Sequence, residues 1–166
     1  MLLLFFLGRT LVHSNVKPES NKNIKVSGLV MDSIIASTNR DSIVNFAIQY
    51  LGAPYVYGAS NKNGFDCSGF VYFVFKHFNL AVPRSSSEYK DFGKTISIDE
   101  VEKGDILIFL SPTRHNAIGH IGIVTTPKGM ETEFIHATSG KEMKVLYSTL
   151  KDPGYGRRFI KAINVI

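Results

Sequence analysis

The chain contains a single cysteine, Cys67, at a position suited to nucleophilic catalysis. Asp66, directly before it, is a typical helix N-cap residue, so Cys67 is predicted to begin a helix. Free backbone N–H groups and the helix dipole at such a position stabilise a thiolate, and the same groups can donate to an oxyanion formed on an attacked carbonyl. Taken alone, however, the pattern is more typical of an inert cysteine on the apolar stripe of an amphipathic helix.

Two of the five histidines, His120 and His136, lie in apolar patterns that predict β-strands. In a hairpin centred on the turn at Lys128, residue 120 pairs directly with residue 136, so the two rings are expected to face each other with Cβ atoms about 4.5–5.5 Å apart. A cysteine nucleophile needs a base, and the base needs an orienting group, which makes Cys67, His120 and His136 a candidate triad. The alternatives are two strand histidines with backbone partners, or a three-ligand zinc site. Because zinc would occupy the only nucleophile, we expect no metal and no other cofactor.

The elements that must position these residues indicate an α+β fold. Apolar residues at helical spacing predict one helix ending near Gly52 and a second from Cys67 to Phe78, with a shorter helix at 85–92. Beyond residue 100 the period changes, and strands are predicted at 105–110, 120–125, 131–137, 143–147 and 158–163. Helices followed by strands predict N-terminal helices packed on a central antiparallel β-sheet, with the cysteine at a helix N-terminus.

The 166 residues are 44% hydrophobic and 20% charged, which indicates one globular domain and argues against a disordered chain. We predict a signal or apolar segment at 1–14, a linker at 15–37 and the domain at 38–166. The apolar run at 2–7 is too short for a stable membrane span and is similar to part of a secretory signal, so an extracytoplasmic location is expected. The net charge of +5 comes without a long basic run, and we expect no nucleic-acid partner. Nothing in the sequence indicates an oligomeric state.

Six short segments, within roughly residues 41–163, resemble the NlpC/P60 cysteine peptidases, a papain-like clan of bacterial cell-wall endopeptidases. They occur in the family's order: Leu51–Gly58, Phe65–Val71, Val82–Ser85, Lys103–Leu107, Gly119–Val124 and Phe134–Ala137. Each segment alone is weak, but their combination is specific. The resemblance implies a papain-like fold in which Cys67 is the nucleophile, His120 the general base and His136 the residue that orients His120.

The resemblance also implies roles for residues around the nucleophile. Tyr55 is expected beside Cys67, where its hydroxyl would assist the oxyanion hole or contact the substrate. Asp66 and Ser68 match the family's flanking pair and are expected to help bind a free amine of the substrate. Arg84 and Asp105 are expected to be structural, with the arginine tying a loop and the aspartate closing a turn before a strand.

The activity implied by the resemblance is hydrolysis of peptidoglycan stem peptides, most often at the γ-D-glutamyl–diaminopimelate bond, through a thioacyl-enzyme intermediate. Two alternatives stay open. One is a CHAP-type peptidoglycan amidase, which shares the order of cysteine and histidine but cuts between glycan and peptide. The other is a non-catalytic cell-wall-binding module on the same scaffold. The segment around Cys67 favours NlpC/P60, and the presence of His120 and His136 argues against a binding module.

Overall fold

The computed structural model describes residues 39–114 and 116–166, so the predicted N-terminal segment at 1–14 and the linker at 15–37 lie outside the described residues. The chain forms a helix, α1, at 39–48, then a small ribbon, a second helix and a sheet. The further elements are β1 (Ser60–Asn61), β2 (Gly64–Phe65), α2 (Cys67–His77), β3 (Lys94–Ile96), β4 (Ile106–Leu110), β5 (Ile118–Thr126), β6 (Glu133–Ala137), β7 (Val145–Thr149), α3 (Pro153–Gly156) and β8 (Phe159–Asn164). Within the described ranges, no helix is long and apolar enough to cross a membrane.

The six strands β3 to β8 form one antiparallel sheet in the order β3-β8-β4-β5-β6-β7. β1 and β2 pair separately as a short antiparallel ribbon ahead of α2. The prediction of an α+β fold with an antiparallel sheet is confirmed, and the five predicted strands correspond to β4–β8. The sequence analysis missed β1, β2 and β3, because strands of two or three residues are too short to show an alternating pattern.

Helix α2 forms where its capping residue and its apolar stripe predict it. The Asp66 carboxylate accepts from the Gly69 N–H at 2.6 Å, which caps the first turn. The helix ends at His77, and Asn79 with φ 58° adopts the left-handed conformation that commonly follows a helix. Its buried stripe, Phe70, Val71, Val74 and Phe75, contacts the sheet.

The sheet separates two hydrophobic clusters, because side chains alternate between its faces. The larger cluster includes buried residues of α1 and α2 packed on one face of the strands: Ile43, Ala47, Phe70, Val74, Ile106, Ile108, Ile121, Ile123 and Ile135. The opposite face carries a smaller cluster: Val101, Leu107, Phe109, Val124, Phe134, Leu150 and Ala162. Full burial of one such large side chain contributes about 1.5–3 kcal/mol to folding, so the helix-side cluster dominates the stability of the domain.

Two helix predictions are corrected by the structure. The helix predicted at 85–92 is a five-residue 3-10 helix, Ser86–Lys90, in which only Tyr89 is buried. Its serine-rich start favours capping and turn conformations over a helix interior, so no longer helix forms. The first helix ends at residue 48 and gives way to turns at 49–52, the last of which contains Gly52 in the left-handed conformation with φ 81°.

Asp105 closes the turn before β4, as expected. Its Oδ2 accepts from the Glu102 N–H at 2.7 Å, and its Oδ1 accepts from Arg40 Nη1 at 2.9 Å. The second contact ties α1 to the start of the sheet. Asp105 is therefore a structural residue that fixes the helical layer relative to β4.

Candidate active site

Cys67 is the first residue of α2, as predicted, and only 9% of its surface is exposed. Its Sγ lies 3.9 Å from the carbonyl oxygen of Gly119, towards which the thiol donates. The sulfur lines a cleft of about 380 Å³, together with Tyr55, Ser68 and Arg84. A substrate in this cleft would meet a thiol at a helix N-terminus.

The thiol is protonated at rest. Burial raises the pKa of Cys67, and the neighbouring Asp66 carboxylate raises it further. Backbone N–H groups of Ser68, Ile121 and Cys67 itself act in the opposite direction and lower this pKa. The effect of the helix start that the sequence suggested is therefore present, but loss of solvent outweighs it. Such a thiol needs a base to become a nucleophile.

His120 and His136 form the buried pair that the sequence predicted. His120 Nε2 lies 2.8 Å from His136 Nδ1, and the two ring planes stand at 87°. His136 is completely buried, and His120 is 8% exposed. The second histidine therefore holds the first ring in one orientation by a short hydrogen bond.

The predicted register between these strands is wrong by two residues. The observed partners are Ile123 with Ile135 and Val124 with Phe134. Continued along the strands, this register places Gly122, not His120, opposite His136. The connection contains the 3-10 helix Gly129–Glu131, and the register shifts after Val124, so the hairpin is not centred on Lys128. A shift of two residues preserves the face, and Gly122 presents no side chain between the rings, which meet diagonally.

The pair extends to Ser148, which the sequence analysis missed. Because Nε2 of His120 contacts His136, Nδ1 is the nitrogen left to accept a proton from the thiol. Nε2 must then carry the hydrogen and donate to His136 Nδ1, so His136 carries its own hydrogen on Nε2. That atom lies 3.0 Å from Ser148 Oγ. Ser148 therefore accepts the last hydrogen bond of the chain and favours the tautomer that leaves His120 basic.

Both histidines are neutral at pH 7. Burial lowers the pKa of His120 to about 3, with a smaller contribution from the positive charge of Arg158. Burial, His120 and Arg158 lower the pKa of His136 well below its usual value. The surrounding rings of Phe109, Phe134 and Tyr155 exclude water from the pair. Nowhere in the described part of the chain do three or more His, Cys, Asp or Glu side chains come together as metal ligands.

Cys67 and His120 are connected through Gly119, because among the described residues no hydrogen bond joins the thiol directly to the imidazole. Ile121 belongs to the helix-side cluster, so alternation places the neighbouring His120 on the other face of the sheet. Gly119 lies where the β4–β5 register shifts, and a Cβ at this position would collide with Ser111. Its backbone can therefore approach both the sulfur and the base. Catalytic hydrogen bonds are often long without substrate and shorten when it binds.

On the other side of the sulfur, Asp66, Ser68 and Arg84 form a charged network. Arg84 donates to both carboxylate oxygens of Asp66, at 3.0 and 2.9 Å, and Ser68 Oγ donates to Oδ1 at 3.2 Å. Arg84 Nη2 also donates to the Gly58 carbonyl at 2.8 Å, which ties the preceding loop as expected. Together with the capping contact to Gly69, these bonds occupy most of the acceptor capacity of Asp66.

Tyr55 lies in the same cleft as Cys67. Its N–H donates to the Met143 carbonyl at 2.8 Å, which fixes the backbone beside the sulfur. Burial raises the pKa of the Tyr55 hydroxyl, and the negative charges of Asp66 and of Cys67 in its thiolate form raise it further, whereas a hydrogen bond with Ser139 lowers it. The hydroxyl therefore stays protonated and can act as a hydrogen-bond donor into the cleft.

Known proteins are similar to this chain in sequence and in fold. The NlpC/P60 family matches residues 52–164. A protein of Haemophilus influenzae named "Probable endopeptidase" is 34% identical over 112 residues, which are 67% of this chain and 65% of the relative. The γ-D-glutamyl-L-lysine dipeptidyl-peptidase of Bacillus subtilis is 32% identical over 110 residues, 66% of this chain and 36% of that protein. This chain thus spans less than two thirds of either relative.

A solved structure supports the same assignment. The NlpC/p60 domain of the peptidoglycan hydrolase SagA superposes with a TM-score of 0.61 at 27% identity, covering 76% of this chain and 98% of that domain. The sheet that carries His120 and His136, and the helix that begins at Cys67, lie within the region that the family matches. The chain therefore belongs to the NlpC/P60 family, whose domains have the papain-like fold.

Proposed function

We propose that this protein is a cysteine peptidase that hydrolyses stem peptides of peptidoglycan through a thioacyl-enzyme intermediate. The observation that carries the proposal is the placement of Cys67 at a helix start, 3.9 Å from the carbonyl oxygen of Gly119, which directly precedes His120. The ring of His120 is in turn joined to His136 at 2.8 Å. Nucleophile, base and orienting group are the parts that cysteine-based acyl transfer requires.

In the first step, substrate binding turns the Cys67 thiol from the Gly119 carbonyl towards His120, and the proton passes to Nδ1. The sulfur attacks the carbonyl carbon of the scissile bond, and its electron pair forms the carbon–sulfur bond. The resulting oxyanion accepts from the Cys67 N–H at the start of α2 and from the Tyr55 hydroxyl. His120 is unprotonated at neutral pH and can therefore accept this proton, and the negative charge that develops on the sulfur makes the imidazole more basic as the proton moves.

In the second step, the imidazolium of His120 gives its proton to the departing amine, and the carbon–nitrogen bond breaks to leave a thioester on Cys67. Water, deprotonated by His120, then attacks the carbonyl carbon of the thioester. The carbon–sulfur bond breaks to release the carboxylic acid, and the proton held by His120 returns to the sulfur to restore the thiol. His136 holds the imidazole in place throughout. It also stabilises the transient imidazolium by accepting the hydrogen bond from Nε2.

For the substrate, we propose the γ-D-glutamyl–diaminopimelate bond. A relative named for γ-D-glutamyl-L-lysine cleavage supports the acyl side of this bond, because the same glutamyl group would form the thioester. We further propose that Asp66 and Ser68 help bind the free amine at the start of the stem peptide. They flank the nucleophile, and Asp66 Oδ2 retains acceptor capacity beyond its bond from Arg84.

A peptidoglycan substrate also bears on location and organisation. We propose that the domain at 38–166 acts outside the cytoplasm, in the periplasm or cell envelope, where that polymer lies. The similarity to a domain of a peptidoglycan hydrolase supports this location.

Digestion of isolated peptidoglycan and of soluble stem peptides, followed by mass spectrometry of the products, tests the proposal. We expect cleavage within the stem peptide between D-glutamate and the diamino acid, and none with Cys67→Ala. A CHAP-type amidase would instead release intact stem peptides from glycan. A non-catalytic module would release nothing, and either result would overturn the proposed reaction.

A further inference from the structure

A second cavity adjoins the cleft that contains Cys67. It encloses about 360 Å³, and its lining includes Gly119, His120, Ser139, Tyr155 and Arg158. We call it the Arg158 pocket. Gly119 lines both cavities, so a peptide bound across this residue would have the nucleophile on one side and the base on the other.

The position of the base assigns a direction to the bound peptide. His120 must give a proton to the departing amine, so the departing segment has to lie on the side of His120. His120 lines the Arg158 pocket, whereas Asp66 and Ser68, the proposed amine-binding pair, line the Cys67 cleft. The Arg158 pocket is therefore placed to receive the residue that follows the scissile bond.

Arg158 gives this pocket a fixed positive charge. Its Nε donates to the Gly154 carbonyl at 2.7 Å and its Nη1 to the Leu110 carbonyl at 3.1 Å, while the guanidinium lies 5.0 Å from the centre of the Tyr155 ring. No carboxylate of the described residues forms an ion pair with Arg158, and Nη2 has no hydrogen-bond partner among them. A rigid guanidinium with a free donor is well suited to bind a carboxylate.

The rest of the lining is compatible with an anion. Arg158 is the only charged side chain among the described residues that line the pocket. Ser139, an exposed residue whose side chain hydrogen-bonds to Tyr55, adds a hydroxyl to the lining. The charge of Arg158 also acts on the base, since it contributes to the lowered pKa of both His120 and His136. A bound carboxylate would offset that repulsion at the moment when His120 takes up its proton.

We propose that the Arg158 pocket binds a carboxylate of the departing diamino acid, so that the enzyme favours substrates whose leaving residue presents a free carboxylate. This inference rests on the proposed function. A terminal diaminopimelate offers two carboxylates, one on its α-carbon and one at the end of its side chain. Lysine at the same position offers only the first.

The test compares kcat/KM for the tripeptide L-Ala-γ-D-Glu-diaminopimelate with two forms, each carrying one of the two carboxylates as a carboxamide. We expect one amide to lower kcat/KM by about 10-fold or more, which identifies the carboxylate that is bound. The ratio of kcat/KM for the unmodified tripeptide to that for this amide should fall to within about threefold of one in Arg158→Gln. The matched variant Arg157→Gln, at an exposed neighbour, should keep the wild-type ratio. Because each ratio is taken within one variant, a general loss of activity does not affect it.

A second experiment measures binding without turnover. Calorimetry gives the affinity of the Cys67→Ala variant for each of the same peptides. Tighter binding of the carboxylate form, lost when Arg158→Gln is added, supports the pocket even if the cleaved bond proves to be another one. Equal affinities and equal kcat/KM values for all three peptides would overturn the inference while leaving the peptidase activity intact. A carboxylate preference that survives Arg158→Gln would overturn it as well.

Discussion

Two polar networks flank Cys67, and they differ in charge and in exposure to water. On the sheet side, His120, His136 and Ser148 form a neutral chain of hydrogen bonds that aromatic rings shield from water. On the helix side, Asp66 and Arg84 form an ion pair with two contacts, and the arginine side chain is 36% exposed. One network contains groups that can gain and lose a proton, and the other holds fixed charges.

This difference separates two tasks that the site must perform together. His120 can take up and release a proton because it carries no charge at rest, while His136 and Ser148 set its tautomer. The ion pair cannot take part in such a transfer, since the guanidinium of Arg84 stays charged and has no lone pair to accept a proton. Its rigid carboxylate is instead suited to cap α2 and to interact with a charged part of the substrate. We therefore propose that the proton chemistry takes place on the sheet side of the sulfur and that the substrate amine is bound on the helix side.

The largest effect is expected from replacing Cys67, whose sulfur lies between the two networks. Cys67→Ala removes the nucleophile and should lower kcat by about 10⁴-fold or more, because no other group can form the acyl intermediate. The measurement is release of product from a stem tripeptide.

Cys67→Ser, which is close in size, serves as the control for folding and should unfold at nearly the same temperature. EDTA should leave turnover of the wild type unchanged. Substantial turnover by folded Cys67→Ala would mean that the nucleophile lies elsewhere.

Within the neutral network, the two histidines should differ in importance. His120→Gln removes the base and is expected to lower kcat by about 10³-fold or more. His136→Gln should retain more activity, with a loss of about 10- to 100-fold, because an amide oxygen can still accept from His120 Nε2. Steady-state kinetics on one substrate rank the variants, and circular dichroism verifies that both fold. The reverse order would exchange the roles of the two residues.

The sequence predicted this network better than it predicted the strand pairing that creates it. Cys67 at a helix start and two histidines on neighbouring strands followed from capping and alternation, which are local properties. The register could not be predicted, because it depends on how many residues the connection after Val124 takes up. Ser148 was missed for the same reason, since its contact with His136 exists only once β6 and β7 are paired.

The contacts of the charged network could not be predicted from local sequence patterns either, because its members are further apart in the chain. Asp66 was identified as an N-cap from its position before the helix, and the structure confirms this role. Its pairing with Arg84, eighteen residues later, depends on the loop that folds back over the start of α2. Neither residue type nor spacing encodes that contact. The connection of Cys67 to His120 through Gly119 is likewise a property of the folded chain, where a bulge in β5 meets a helix end.

A change at the N-terminus of the substrate tests the helix-side network of Asp66, Ser68 and Arg84. Acetylation of the stem tripeptide removes the ammonium that Asp66 and Ser68 are proposed to bind, and should lower kcat/KM by about 30-fold. This loss is at the lower end of what removing one partner of a buried charge pair causes, because Arg84 already neutralises much of the Asp66 charge.

Ser68→Ala is the matched variant for this comparison, because it removes a hydroxyl while keeping the Asp66 cap and the ion pair. This variant should reduce the difference in kcat/KM between the free and the acetylated peptide. Equal rates on both peptides with the wild-type enzyme would remove the amine-binding role and leave the thiol chemistry in place.

Ser148 tests how far the neutral network extends. Ser148→Ala removes the acceptor for His136 Nε2–H, and should lower kcat by about 3- to 10-fold with little change in KM. Ser148→Thr keeps the hydroxyl and should restore most of the activity. A loss of similar size in both variants would indicate a packing defect instead of a lost hydrogen bond.

The pH dependence of kcat/KM tests the neutral histidine network without any mutation. The active form requires unprotonated His120, and a histidine with its ordinary pKa near 6.5 would be half inactivated at that pH. Because burial and Arg158 lower the pKa of His120 to about 3, the acid limb should lie well below 6.5. We therefore expect kcat/KM at pH 5.5 to stay within about twofold of its value at pH 7.5.

The thermal unfolding temperature must be followed at each pH, because the same buried histidines make the fold sensitive to acid. Unfolded histidines take up protons below about pH 6.5 and the folded ones do not, so their contribution to stability is present above that pH and decreases as the pH falls. Arg158→Gln removes one cause of the lowered pKa and should move the acid limb towards 6.5, while Arg157→Gln should not. A wild-type limb centred near 6.5, in a protein that remains folded, would show that His120 is accessible to water or paired with a thiolate. The neutral character of this network would then be wrong.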